Sequence, residues 1–252
     1  MHFDKLSKAA VLAAAALFWL ATPAVAPAAN LVQNGDFTNT LLSSPGGFFC
    51  QSGATCTSNV ADWDSVCAPG GPCGDTGTVN SLLFPGTGGA AFNHGFGLSA
   101  WVDPPVAGNI DADDGDSTFE AAISQTVNGL TAGKNYVLTF WQAGAQQGGQ
   151  DSATSRDWQV SLGSQTRSSA VMNLNGDDFA PWTQQTMHFT ATSGSEVLTF
   201  MASGTGTPPI ALLTGVSLTA GAVPEPGVWA MVILGFGALG VVARRRRQRA
   251  IA

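Results

Sequence analysis

The stretch that decides the fold is Tyr136-Val137-Leu138-Thr139-Phe140-Trp141. Its large residues Tyr136, Leu138 and Phe140 recur at every second position, which places them on one face of an extended strand. The pair Asn128-Gly129 shortly before it is a tight turn signal between two apolar runs. The sequence therefore predicts antiparallel strands here, with one face of the second strand buried.

Further segments with the same period of two, or with short apolar runs between turn residues, continue through the rest of the chain. They are Thr118 to Val127, Trp158 to Leu162, Trp182 to Thr192, Val197 to Met201 and Val216 to Leu218. Between Leu31 and Trp101 the chain is rich in Gly, Ser, Thr, Asn and Pro, which predicts short strands separated by long loops. No window outside the two ends has a helical period, so the sequence predicts an all-β jelly-roll sandwich.

The N-terminus predicts a signal peptide over residues 1–28. Lys5 and Lys8 precede an apolar run from Ala9 to Leu20, and Ala26-Pro27-Ala28 supplies the small residues that signal peptidase requires. Cleavage is expected after Ala28, and a retained N-terminal anchor is the alternative. What lies between the two ends, residues 29–222, is about 195 residues long, which suits one domain.

The C-terminus, residues 223–252, has three parts: Pro224-Glu225-Pro226, an apolar run over residues 228–243 and a cluster of arginines, Arg244, Arg245, Arg246 and Arg247. The apolar run would form a transmembrane helix of about 24 Å, slightly short of a hydrocarbon core roughly 30 Å thick. The arginines favour a cytoplasmic end, which leaves the upstream chain outside the inner membrane. An ordinary single-pass C-terminal anchor is one interpretation of these three parts.

These residues resemble the PEP-CTERM sorting signal of Gram-negative bacteria, in its Pro-Glu-Pro-x-x-Trp-Ala-Met variant. Trp229, Ala230 and Met231 match the second half of that pattern. The resemblance implies transient insertion in the inner membrane, processing by an exosortase, and delivery of the upstream part to the cell surface or the medium together with exopolysaccharide.

The charge of the intervening domain excludes one class of partner. Its only basic residues are Lys134, Arg156 and Arg167, and these three against fifteen acidic residues leave a formal charge of −12. Such a domain repels phosphate backbones, so the sequence excludes nucleic-acid binding.

The four cysteines indicate disulfides, because an exported chain with an even cysteine count normally pairs them. They are Cys50, Cys56, Cys67 and Cys73. Short loops favour Cys50 with Cys56 and Cys67 with Cys73, and crossed pairing stays open.

The central strands also resemble galactose-binding-like domains and carbohydrate-binding modules. Ile123 to Val127, Gly129-Leu130, Gly133 and the 136–141 stretch carry this resemblance, with Leu31 to Phe37 and Leu212 to Leu218 similar to the first and last strands. It implies a non-catalytic domain that binds polysaccharide in the extracellular matrix.

The candidate ligand-binding residues lie in two predicted loops. Trp101 and Asp103 precede a Pro-Pro pair, and a tryptophan ring can stack on a sugar ring. Gln146 and Gln147 precede a glycine pair and can hydrogen-bond sugar hydroxyls. Trp158 instead shares the face of its apolar neighbours and is predicted to be core.

The candidate metal residues are Asp111, Asp113, Asp114 and Asp116. Carboxylates at this density suit Ca²⁺, which takes six to eight oxygen ligands. The alternative is an acidic loop that water solvates.

Little in the sequence indicates an enzyme. His94 and His188 are the only histidines between the two ends, and no Gly-x-Ser-x-Gly motif occurs. A structural matrix protein that acts through protein contacts, and a secreted polysaccharide hydrolase that uses two carboxylates, are the alternatives to carbohydrate binding.

Overall fold

The computed structural model describes residues 28–40, 47–48, 60–67, 81–85, 98, 100, 102–117, 121–176, 178–206 and 208–221. These residues form twelve strands and no helix. The strands are β1 Gly47–Phe48, β2 Asp64–Cys67, β3 Ser81–Pro85, β4 Asn109–Asp114, β5 Ala121–Asn128, β6 Asn135–Gln146, β7 Ala153–Leu162, β8 Gln165–Ser168, β9 Met172–Asn175, β10 Ala180–Thr190, β11 Ser195–Thr205 and β12 Pro209–Ala220.

The strands form two sheets that pack face to face, and every strand pairing is antiparallel. The first sheet has the order β1-β3-β4-β12-β6-β10. The second has the order β2-β5-β11-β7-β8, and β9 also pairs with β7. The predicted all-β sandwich is confirmed.

The predicted alternation places the core correctly. Tyr136, Leu138 and Phe140 on β6 are at most 2% exposed, and Trp158 on β7 is fully buried. Phe200 on β11 lies at the centre, with its ring centroid 5.1 Å from that of Phe140 and 6.1 Å from that of Trp158. The two sheets therefore meet through large rings that fill the space between them.

The segment before β1 differs from the expected first strand. Leu31 donates its backbone N–H to the carbonyl of Leu218, and Val216 donates to the carbonyl of Gly35. The side chain of Asn30 accepts from the N–H of Leu218 in place of a backbone carbonyl. The segment therefore lies along the second half of β12 without a regular ladder, and the turn predicted at Asn34-Gly35 is confirmed.

The acidic stretch predicted as a loop is mostly strand. β4 pairs with β3 on one side and with β12 on the other, so its backbone groups are satisfied inside the first sheet. Asp111 and Asp113 are fully buried and Asp114 is 7% exposed. Only Asp116 follows the strand, and it lies half-buried.

Several predictions fall outside the described residues. These are the signal peptide up to residue 27, Cys50, Cys56, Cys73, and the whole sorting segment with its transmembrane helix. Cys67 ends β2, and the disulfide pairing stays a prediction. Within the part of the chain that the structure describes, no helix is long and apolar enough to cross a membrane.

Candidate functional site

The outer face of the first sheet, which points away from the core, carries an ordered set of side chains on three neighbouring strands. Pairing aligns Gln184 on β10 with Trp141 on β6, Thr186 with Thr139 and Ser217, and His188 with Val137 and Thr219. We call these eight residues the polar grid. Its columns are about 4.8 Å apart across the strands and its rows about 6.8 Å apart along them.

Trp141 is the large aromatic side chain of the polar grid. It follows Phe140, which points into the core, so strand alternation directs Trp141 outward, where it is half-buried. Gly215 lies beside it with φ of 63°, at an irregularity in the pairing of β12 with β6. A Cβ atom at Gly215 would lie 3.3 Å from Cδ1 of Trp141, so glycine leaves room for the indole edge.

The polar grid bears no lysine, arginine, aspartate or glutamate, although the whole domain is acidic. Its hydroxyl and amide groups both donate and accept hydrogen bonds, and His188 is its one titratable side chain. Gln184, Thr186 and His188 are exposed on β10, which forms the edge of the sheet. Such a surface suits a neutral ligand with many hydroxyl groups and an apolar face.

The other end of the same outer face is covered. Its apolar residues lie on β4, β6 and β12, and Leu98, Phe179 and Trp182 pack on them. The covered residues are Ile110, Ala112, Ala143, Ala145, Ile210 and Leu212. The indole N–H of Trp182 donates to the carbonyl of Val102 at 2.8 Å, which fastens the segment that precedes β4 across this end. Among the residues that the structure describes, the part of this face left uncovered is the polar grid.

Of the residues predicted to bind ligand, the structure describes Asp103, Gln146 and Gln147. Trp101 lies outside the described residues, and Asp103 is exposed. Gln146 was predicted in a loop, but β6 extends to it and points its side chain inward, where it is fully buried and donates to the carbonyl of Ser152 at 3.0 Å. Gln147 is half-buried and forms a bridge with Leu98. Gln146 therefore cannot contact a ligand at the surface.

The predicted calcium residues do not converge. Alternation along β4 sends Asp111 and Asp113 inward and Asp114 to the outer face. Among the described residues no group of three or more His, Cys, Asp or Glu side chains is placed to hold a metal ion. The calcium loop read from the sequence is replaced by a strand, and Asp114 accepts from the backbone N–H of Asp116 at 2.9 Å.

A buried polar cluster lies between the sheets at the end where β6 finishes. Arg156 on β7 is 1% exposed and contacts Gly144 on β6, where a Cβ atom would lie 2.6 Å from its Nη1. Its Nη2 donates to the hydroxyl of Thr154. Burial lowers the pKa of Arg156 to about 10. This cluster is enclosed and has no part in the surface site.

The C-terminal segment matches a known motif. Residues 222–247 match the PEP-CTERM protein-sorting motif. The chain carries a PEP-CTERM sorting signal. The predicted recognition of Pro224-Glu225-Pro226 is confirmed, and the PEP-CTERM signal marks the upstream domain as exported and sorted to the cell surface or beyond it.

Similar solved structures include carbohydrate-binding modules. The structure of TmCBM61 in complex with β-1,4-galactotriose is 15% identical, with 73% of this chain and 100% of that chain covered at a TM-score of 0.38. A CBM4 structure is 15% identical over 75% of this chain and 99% of that one, at 0.33. The enzymatically active domain of tailspike protein 4 from bacteriophage CBA120 is 14% identical over 76% and 21%, at 0.39. No curated protein matches the chain.

Proposed function

We propose that this protein is exported, is trimmed at its PEP-CTERM signal, and binds a neutral polysaccharide of the extracellular matrix through the polar grid. The observation that supports this most is the position of Trp141 among uncharged hydroxyl and amide side chains. An indole face packs on the apolar face of a sugar ring, while the neighbouring groups exchange hydrogen bonds with its hydroxyls.

The charge distribution selects the class of polymer. The domain has a formal charge of −12, which repels acidic polysaccharides over distances of about a Debye length. The polar grid itself has no arginine or lysine with which to pair a uronate or a sulfate. A neutral polysaccharide is not repelled by the charge of the domain, and it needs no cation in the polar grid.

Binding without catalysis is part of the proposal. Hydrolysis of a glycosidic bond normally requires two carboxylates on either side of that bond. The eight residues of the polar grid include none, and the buried carboxylates Asp111 and Asp113 face the interior of the sandwich. A polymer seated on Trp141 would therefore be held and left intact.

The C-terminal signal suggests how the precursor is inserted in the membrane and cleaved. The apolar run over residues 228–243 would insert in the inner membrane with Arg244 to Arg247 in the cytoplasm, and an exosortase would act near Pro224-Glu225-Pro226. The N-terminal leader would be removed by signal peptidase. Comparing cell fractions with and without the exosortase tests this route, and precursor that persists unchanged in both strains would contradict it.

Binding is tested with the mature protein and a panel of neutral polysaccharides, by affinity electrophoresis and isothermal titration. Trp141→Ala should weaken binding at least tenfold, about 1.4 kcal/mol, because it removes the stacking surface. Binding by the unchanged protein should vary little between about 50 and 500 mM salt, since no charge pairs with the ligand.

A matched pair of threonines controls for nonspecific effects. Thr186 lies in the polar grid and Thr126 on β5 in the second sheet, and both are exposed. Thr186→Ala should weaken binding several-fold and Thr126→Ala should leave it unchanged. If no polymer binds, or if Trp141→Ala binds as well as the original, the carbohydrate assignment fails and a structural role through protein contacts replaces it.

A further inference from the structure

β10 lies at an edge of the first sheet, with β6 on one side and no strand of the described chain on the other. It has eleven residues, whereas the other strands that end the two sheets are shorter: β1 has two residues, and β2 and β8 have four each. An edge strand presents backbone N–H and C=O groups that can pair with a further strand. Among the described edge strands, β10 therefore has the longest row of such groups.

Side chains of β8 close one half of this edge. Nε of Arg167 donates to the carbonyl of His188 at 2.6 Å. The side-chain amide of Gln165 donates to the carbonyl of Thr190 and accepts from the N–H of the same residue. These hydrogen bonds show that His188 and Thr190 direct their backbone groups away from β6, and that the chain itself satisfies them at this end.

The other half of the edge is open. Backbone groups alternate in direction along a paired strand, so those of Gln184 and Thr186 also point away from β6. Both residues are exposed, and no described residue bonds these backbone groups on that side. The stretch from Trp182 to Thr190 has no charged residue and no proline, which are features that keep edge strands apart. This half of β10 is therefore available to another strand.

The charges beside β10 suit a second copy of this chain. If two β10 strands pair antiparallel about a two-fold axis at Gln184, Thr190 lies opposite residue 178 of the other copy, because both are equally far from Gln184. Arg167 lies at this end of β10, where its guanidinium carbon is 5.4 Å from the centre of the Phe189 ring. Asp178 is exposed. The two-fold axis thus brings an arginine of each copy near an aspartate of the other, which offsets part of the repulsion between two acidic domains.

We propose that two copies of the mature protein pair through the open half of β10 and form a two-fold dimer. The two first sheets then become one sheet, and both polar grids lie on the same outer face of it. Trp141 pairs with Gln184 one strand inward from β10, so the two Trp141 residues are three strand spacings apart, about 14 Å. One polysaccharide chain that crosses the strands can contact both rings. This consequence rests on the proposed function, whereas the pairing itself does not.

Dimerisation is measured by sedimentation velocity on the mature protein at about 0.15 M salt, which screens charge repulsion beyond about 8 Å. Thr186→Pro removes the N–H that points toward the second copy, and an edge strand tolerates proline where that N–H faces solvent. It should raise the dissociation constant of the dimer at least tenfold, since the change occurs twice in each dimer. Thr186→Ala keeps the N–H and is the matched control, so it should change this constant less than threefold.

A charge exchange tests the same pairing without a proline. Arg167→Glu and Asp178→Arg should each weaken the dimer several-fold, and the double variant should return the dissociation constant to within about threefold of the original. Simply additive losses would overturn the pairing about Gln184. A mature protein that stays monomeric up to its limit of solubility would overturn the dimer. So would a dimer that Thr186→Pro leaves intact, provided that this variant unfolds in urea as the original does.

The outcome is separable from that of carbohydrate binding. Sedimentation uses no polysaccharide, so the dimer stands if no polymer binds, and a monomer that binds polymer through Trp141 would overturn the dimer alone. Where both hold, a long neutral polymer should bind Thr186→Ala at least tenfold more tightly than Thr186→Pro, because only the first keeps two rings side by side. A short oligosaccharide that reaches one ring should bind the two variants equally. Equal affinities for the long polymer would overturn the joint binding surface.

Discussion

Replacing Glu196 with glutamine should make the stability of the domain depend less on pH. Glu196 accepts hydrogen bonds from the N–H of Thr192 at 2.6 Å, its hydroxyl at 2.5 Å, and the N–H of Ser193 at 3.1 Å. The side chain also packs on Gly163, where a Cβ atom would lie 3.1 Å from Cδ of Glu196. One carboxylate oxygen, Oε1, thus accepts hydrogen bonds from three donors in the turn between β10 and β11.

The expected loss of stability in Glu196→Gln follows from these hydrogen bonds. A hydrogen bond to a charged acceptor contributes about 1.5 to 3 kcal/mol and a neutral one about 0.5 to 1.5 kcal/mol. Part of the difference is offset, because burying a neutral amide costs less than burying a carboxylate. Glu196→Gln should therefore lower the free energy of unfolding by about 1 to 2 kcal/mol at pH 7.

The pH dependence has a definite sign. Burial raises the pKa of Glu196, and the hydrogen bonds from Thr192 and Ser193 lower it by more, so the pKa lies below its ordinary value of 4.5. A lowered pKa contributes stability that is complete above the unfolded value and is lost as pH falls through the folded value. The difference between the original protein and Glu196→Gln should accordingly shrink below pH 4.5.

Urea unfolding followed by tryptophan fluorescence at pH 7 and pH 3 measures this difference, because Trp63 and Trp158 are buried. Asp151→Asn is the matched control, since it removes one charge from an exposed carboxylate far from the turn. A difference as large at pH 3 as at pH 7, or an equal effect of Asp151→Asn, would refute the assigned role of Glu196.

Two further variants test other parts of the fold. Burial raises the pKa of Asp114 to about 6 from 3.8, so its ionisation opposes folding as pH rises between those values. Asp114→Asn should therefore stabilise the domain by up to about 3 kcal/mol at pH 7.5 and not at pH 3.5, as urea unfolding would show. Gly35→Ala places a Cβ atom 2.0 Å from the carbonyl oxygen of Val216, so it should release the 31–37 segment from β12, measured as faster hydrogen exchange at Leu31 and Val216.

The sequence predicted the part of the fold that hydrophobic burial dictates. The alternation of Tyr136 and Phe140 with smaller residues identified β6, and the same pattern predicted that Trp158 on β7 lies in the core. Both predictions succeeded because β6 and β7 each bury one face. The same alternation directs Trp141 outward. That signal was available in the sequence, but the prediction favoured Trp101 because it precedes two prolines.

The sequence could not predict the strands that bury polar groups. β4 alternates Ile110 and Ala112 with Asp111 and Asp113, but it turns the aspartates toward the space between the sheets, which is the reverse of what alternation normally indicates. Its backbone is held by β3 and β12, which lie far from it in the chain, so only the tertiary pairing makes it a strand. Gln146 was also predicted wrongly, as a loop residue. It ends β6, and its buried amide donates a hydrogen bond to the carbonyl of Ser152.

The place of β12 in the first sheet has a consequence for the order of events during biogenesis. β12 is the last strand of the described chain, yet it lies between β4 and β6 in the interior of its sheet. A nascent chain lacking residues 209–220 has a gap at the middle of that sheet, so folding can be completed only after nearly the whole polypeptide has left the ribosome. Export in an unfolded state, followed by folding outside, fits this topology. A protease that cut the chain before Gly221 would therefore remove part of a central strand.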